Sequence, residues 1–227
     1  MQALQDRDKG VRADAASVLG MIGEGAKDAV PVLIQALQDE DVRSNAKFAL
    51  GMIGKDAVPD LIQALQDEDE VFRSYAALAL GSIGSGAKDA VPALMQALQD
   101  QNENVRDSAA WALGSIGSGS VDAVPALIQL LQDQNWDVRN SAAMALGQIG
   151  KDAVPALIQA LQNDYNVSVR SRTAMALGDI RSEDAVPVLV QALQDENLGV
   201  CRSSERALRK IGTSEALKAV EEYQSRQ

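Results

Sequence analysis

The sequence predicts an all-α solenoid of about seven two-helix repeats, on three observations. First, the tetrapeptide Asp-Ala-Val-Pro occurs six times, beginning at Asp28, Asp56, Asp89, Asp122, Asp152 and Asp184, with spacings of 28, 33, 33, 30 and 32 residues. Self-similarity at such a period marks stacked repeats. Second, each copy opens a stretch with apolar residues at helical spacing, and a second such stretch, headed by Val-Arg, follows it. Third, the chain is 46% hydrophobic but only 3% aromatic. That balance suits close helix packing better than a sandwich or barrel.

The first helix of a repeat is typified by residues 152–163. Its aspartate is placed to cap the first-turn N–H groups, and the following proline is tolerated there because those groups have no intrahelical partner. Val154, Leu157, Ile158 and Leu161 form one apolar stripe. The second helix is numbered from its arginine: Arg12, Arg43, Arg73, Arg106, Arg139 and Arg170, with Cys201 in the seventh repeat. Four residues earlier stands Asp8, Asp39, Asp69, Asn102, Asn135, Asn166 or Asn197. Each is a strong N-cap residue and is expected to start its helix, Asp39 serving in the shortened second repeat. Position seven is leucine, position eight usually glycine, and a later glycine fits a C-cap.

At 100° per residue, positions zero, three, four, seven and ten share one side, where Ala, Leu and Ile recur. Positions one, two, five and nine lie opposite and vary. The recurring side is what one repeat shows the next, because a two-helix unit cannot bury its stripe alone. The varied side is free to meet something else. The chain, residues 1–227, is expected to be a single array. Its first repeat, 1–23, is incomplete, and a polar capping helix at about 214–226 opens with Ser214.

Net charge is −11, from 32 acidic and 21 basic residues. This disfavours nonspecific binding to nucleic acid or anionic lipid. One cysteine allows no internal disulfide and points to a reducing compartment. No apolar run approaches the roughly 20 residues of a membrane span, and the start lacks a signal-peptide pattern. The expectation is an acidic cytoplasmic protein. Its oligomeric state is not written in the sequence.

Position five reads Ser17, Phe48, Leu78, Trp111, Met144, Met175 and Arg206, placing large apolar side chains on the varied side in five consecutive repeats. Tyr75 and Trp136 join them. A contiguous apolar patch with a polar rim marks an interaction site, and such residues are common interface anchors. The alternative is that they fill the inner curve against one another. Acidic Asp14, Asp107 and Asp137 rim the early and middle repeats, and basic Arg172, Arg202, Arg206 and Lys210 the last two. This polarity would orient a partner, or is simply a solvated surface. The arginine ladder recurs in register with Asp67, Asp100 and Asp133, which suggests stacked ion pairs tying helix to helix.

Catalytic chemistry has little to stand on. There is no histidine, the commonest acid–base catalyst and zinc ligand. There is no cysteine cluster for metal and no glycine-rich phosphate loop. Cys201 has no histidine to activate it and is expected to be inert packing.

The recurring pattern Asp-Ala-Val-Pro-Ala-Leu-Ile-Gln-Ala-Leu-Gln-Asp, then Val-Arg, Ala-Ala, Ala-Leu-Gly and Ile-Gly, resembles the HEAT-like repeats of the phycobilisome-lyase type across almost the whole chain. The resemblance implies a right-handed superhelix with the second helices on its concave side. Members include bilin lyases and also scaffold and regulatory proteins, so the repeat does not decide function. The leading expectation is a non-enzymatic scaffold binding a partner protein or peptide through Phe48, Tyr75, Leu78, Trp111, Trp136, Met144, Met175, Arg172 and Arg206, without cofactor, nucleic acid or membrane. The alternatives are a bilin lyase or bilin-handling protein, with rim arginines such as Arg172 on the chromophore's propionates, and a fragment or engineered array of such repeats.

Overall fold

The computed structural model describes residues 1–225, which hold helices and turns but no strand. The expected last residue of the capping helix, 226, lies outside them. After a 3-10 turn at Gln2–Gln5, long and short helices alternate: α1 (Lys9–Ile22), α2 (Val30–Ala36), α3 (Arg43–Ile53), α4 (Val58–Ala64), α5 (Glu70–Ile83), α6 (Val91–Ala97), α7 (Glu103–Ile116), α8 (Val124–Leu130), α9 (Trp136–Ile149), α10 (Val154–Asn163), α11 (Val167–Ile180), α12 (Val186–Ala192), α13 (Leu198–Ile211) and α14 (Ser214–Gln224). The chain, expected as one array, divides into two compact units, Met1–Ser120 and the part from Val121 onward. No helix among the described residues is long and apolar enough to cross a membrane.

The caps of the second helices follow the sequence pattern in six of seven cases. Asp8, Asp69, Asn102, Asn135, Asn166 and Asn197 each accept first-turn N–H groups. The exception is α3, whose N-cap is Val42 without a side-chain bond. Asp39 is not the cap there. Its carboxylate accepts the N–H of Asp41 and the guanidinium of Arg12, the tasks that Asp100 and Asp195 perform two residues ahead of their caps. The two missing residues fall after Asp41, so Asp39 is the ladder acid.

Two further expectations are corrected. The Asp-Ala-Val-Pro aspartates cap nothing. The short α-helices start at the following valine, with Pro in the first turn and no side-chain cap bond. A 3-10 turn precedes each, and its backbone carbonyl takes the N–H instead, as Lys27 does for Val30. The final helix is capped by Thr213 rather than Ser214, through Oγ1 to the N–H of Ala216.

Within each unit every short helix seals a leucine. Leu33, Leu61 and Leu94 in the first unit, and Leu127, Leu157 and Leu189 in the second, have no exposed surface. Each such burial stabilises by about 1.5–3 kcal/mol. Position eight is glycine for close approach. A methyl group on Gly20 would lie 3.1 Å from two ring carbons of Phe48, and one on Gly178 would lie 2.6 Å from the Cα of Ala207.

The arginines bolt successive repeats together. Arg12 Nε donates to Asp39 at 2.7 Å. Arg73 donates to Asp100 twice, at 2.8 and 2.9 Å, and Arg170 to Asp195 at 2.9 and 3.0 Å. Their Nη1 atoms donate to the carbonyls five and six residues back, such as Asp164 and Tyr165 for Arg170; Arg106 does the same with Asp100 and Gln101. Two members depart from this pattern. Among the described residues Arg43 pairs with no carboxylate, not even Asp67; its guanidinium lies over the Tyr75 ring, 5.4 Å from the centroid, with Nε buried and unpartnered. Arg139 bonds only the carbonyls of Asp133 and Gln134; the acid in its register, Asp164, accepts the N–H of Asn166 but makes no ion pair with Arg139. In the seventh repeat Cys201 is buried and its thiol donates to the Asp195 carbonyl at 3.2 Å.

The paired acids give the fold a pH dependence. The Arg12 hydrogen bond holds Asp39 below the ordinary value of 3.8. Burial pushes Asp100 and Asp195 upward, but the arginine bonds together with the N–H groups of Asn102 and Asn197 outweigh it and lower both. Their stabilisation is therefore present above about pH 4 and lost as pH falls through the lowered values. We expect Asp195→Asn to be roughly 2 kcal/mol less stable than the parent at pH 7. In urea titrations repeated downward from pH 5, that gap should narrow only below pH 3.8. A gap unchanged at pH 2.5 would disprove the linkage.

Candidate functional site

In the N-terminal unit, position five of α1, α3, α5 and α7 places Ser17, Phe48, Leu78 and Trp111 along one side. They are not equally free. Phe48 is 50% exposed, whereas Leu78 and Trp111 are half-buried. The cause is the neighbouring glycine. The Trp111 ring lies across Gly81, where an added methyl would meet Cζ3 at 2.3 Å, and Phe48 lies against Gly20. Each ring thus spends one face on the preceding helix and keeps an edge for solvent. Tyr75 is half-buried beside Arg43. The alternative in which these rings only fill space accounts for part of Trp111 but not for Phe48.

Sequence reasoning missed two members of this side. Met21 is 79% and Met52 51% exposed. Both occupy position nine, already assigned to the varied side, and size alone could have singled them out.

In the C-terminal unit the same side is more open. Met144 is 52%, Met175 44% and Trp136 60% exposed, and Arg206 lies free at the surface. Between α9 and α11 lies a cleft of about 320 Å³, lined by Asn140, Met144, Gly147, Arg172, Met175 and Asp179 among others. Gly147 is the position-eight glycine of α9, yet no atom lies within 4 Å of where its methyl would stand. The helices are spread here. The spread coincides with the one-residue insertion before Asn166, which leaves Tyr165 fully exposed, and with the longer α10.

Arg172 stands in this cleft with one hydrogen bond, from Nε to Ser168 Oγ at 3.3 Å, and no ion pair. Burial of the guanidinium and then the nearby charge of Arg139 both press its pKa below the ordinary arginine value. At the other end Asp179 accepts the ammonium of Lys210. Of the acidic rim residues, Asp14 and Asp137 are exposed, while Asp107 is half-buried with one unpartnered carboxylate oxygen. Arg202 is exposed. The described residues contain no group of three His, Cys, Asp or Glu able to hold a metal ion.

The solved structures similar to this chain include three of note. The complex of CpcE and CpcF of phycocyanin lyase from Nostoc sp. PCC7120 matches at 27% identity and TM-score 0.52, over 99% of this chain and 92% of that one. An engineered protein matches at 28% identity and TM-score 0.50, over 98% of this chain and 70% of that one. The archaeal HEAT-like repeats protein from Thermococcus onnurineus NA1, at 18% identity and TM-score 0.59 over 86% and 97%, shares the fold alone. No curated protein matches the chain. A family model for HEAT repeats matches residues 1–61, 30–113, 58–147, 91–164 and 154–226, and on that coverage the chain belongs to the HEAT-repeat family.

Proposed function

We propose that the protein is a non-enzymatic scaffold that works in the cytoplasm and holds a protein or peptide partner on the varied side of its second helices. One observation carries this reading. While leucines such as Leu50, Leu80, Leu146 and Leu177 have no exposed surface, Phe48, Met52, Met144 and Met175 stand about half exposed on the varied side of their helices. Exposed apolar side chains cost solubility, and their recurrence at positions five and nine of second helices fits a docking surface. Stacked repeats hold that surface in place, so little ordering entropy is lost on binding.

The test is partner capture from the native host, with the intact chain compared with Phe48→Ser/Met52→Ser and Met144→Ser/Met175→Ser. Partners should be lost from at least one double variant, with affinity falling by about 2 kcal/mol per anchor and melting temperature nearly unchanged. Capture that survives both would overturn the reading. Trp111 is a poor probe because its ring also packs on Gly81.

A second reading is favoured by the likeness to the phycocyanin lyase structure and by unpaired Arg172 in an apolar cleft: a bilin chromophore held on the same side through its propionates. A shifted visible absorption band on mixing with bilin would support it, and no shift at high micromolar ligand would exclude it.

A further inference from the structure

We propose that the cleft between α9 and α11 is a specific recognition site for a partner's carboxylate carried next to a large apolar side chain, a Glu or Asp beside a Leu or similar residue. The inference rests on the partner-binding reading and names what one part of that surface selects.

Elsewhere along these helices ladder arginines mostly hold an acid, Arg43 over the Tyr75 ring being an exception. Arg73 and Arg170 each hold a carboxylate by two bonds. Around this cleft the pattern breaks twice. Arg139 makes no ion pair with Asp164, the acid in its register, and bonds only backbone carbonyls. Arg172, which no other repeat carries at that position, lines the cleft itself. A guanidinium has five N–H donors, and Arg172 spends one on Ser168. Among the described residues no carboxylate lies within ion-pair distance of Arg139, Arg172 or the exposed Arg206 of α13. The acid within the cleft, Asp179, is occupied by Lys210.

Two cations held close together without an acid repel each other, which is unfavourable for the free protein and is relieved by an incoming anion. The charge environment of Arg172 agrees: its charged form is disfavoured by burial and by Arg139. A guanidinium fork matches a carboxylate in a two-bond geometry.

The walls supply the second half of the specificity. Met144 and Met175 flank the opening, and Ala143, Gly147 and Ala176 give it small residues. A cleft of about 320 Å³ lies at the small end of ligand sites, which fits one or two side chains. Thioethers adapt to the shape of what they meet. The chain's net charge of −11 repels acidic partners generally, so this local cationic spot fixes where an acidic segment lands.

The test uses the full chain with 13C-methyl methionine and two probes, N-acetyl-Leu-Glu-amide and N-acetyl-Leu-Gln-amide, followed by NMR. The acidic dipeptide should shift the Met144 and Met175 methyl signals saturably and leave Met21, Met52 and Met95 in place. The neutral one should bind about tenfold more weakly. Arg172→Gln should bring the acidic probe down to the level of the neutral one, and Arg172→Lys, which keeps the charge but loses the fork, should fall between. Melting temperatures of both variants report on folding. Equal response to both probes would overturn carboxylate recognition while leaving the apolar docking surface intact. No methyl response to either would remove the cleft as a site; partner capture through Phe48 and Met52 is decided by its own experiment.

Discussion

Replacing Arg170 by alanine should lower the stability of the chain by about 3 kcal/mol, the cost of breaking a largely buried ion pair by removing one partner. Arg170 is 7% exposed. Its guanidinium makes two bonds to Asp195 and two to the carbonyls of Asp164 and Tyr165, so truncation strands a half-buried carboxylate and two carbonyls together. Arg170→Lys should recover less than half of the loss, since one ammonium cannot span both sets of acceptors. Arg43→Ala, which leaves no acid behind, should cost clearly less. Urea unfolding followed by circular dichroism reads all three. A loss below 1 kcal/mol for Arg170→Ala would show that the ladder is ornament rather than fastening.

The glycines at position eight should respond to alanine with opposite signs. At Gly178 the new methyl would sit 2.6 Å from the Cα and 2.8 Å from the Cβ of Ala207. Those atoms belong to the body of α13, so the helices must move apart, at roughly 2 kcal/mol. Gly81→Ala meets Ala112 Cα at 2.9 Å as well as the Trp111 ring and should also destabilise. Gly147→Ala meets nothing. There the ordinary gain of alanine over glycine within a helix should appear, about 0.5–1 kcal/mol of added stability. Three melting curves decide it. A destabilised Gly147→Ala would mean that α9 and α11 close up more tightly than the cleft implies.

The period, the helix pairs and most caps were legible because each rests on chemistry local to a few residues. Asn135 caps wherever a chain turns into a helix, and Leu146 is buried wherever a stripe repeats. The Asp-Ala-Val-Pro aspartates misled because a 3-10 turn, invisible to a period of 3.6, already satisfied the N–H groups they were expected to take. Asp39 misled because a two-residue deletion can be placed on either side of it; only the bond from Arg12 shows which. The apolar members of the candidate surface were readable by position, but their freedom was not. Whether Trp111 stands out or lies down depends on Gly81, thirty residues earlier in the chain and one helix away. The cleft at Arg172 was hidden for a similar reason. One inserted residue before Asn166 means little in isolation, and it matters through the spacing of α9 and α11.

The two kinds of connector have unequal freedom to evolve. Where a first helix hands over to a second, arginine side chains grip the backbone carbonyls of the crossing itself, as at Asp67 and Glu68 or Asp164 and Tyr165. Where a second helix hands over to the next first helix, the link is a glycine-led turn of seven residues at Gly23–Ala29, four at Gly54–Ala57 and four again at Gly150–Ala153. One margin of each rung is welded and the other is elastic. Length changes reach three residues on the elastic margin, against two after Asp41 and one before Asn166 on the welded one, and a new loop grafted on the elastic margin would leave the rungs in register.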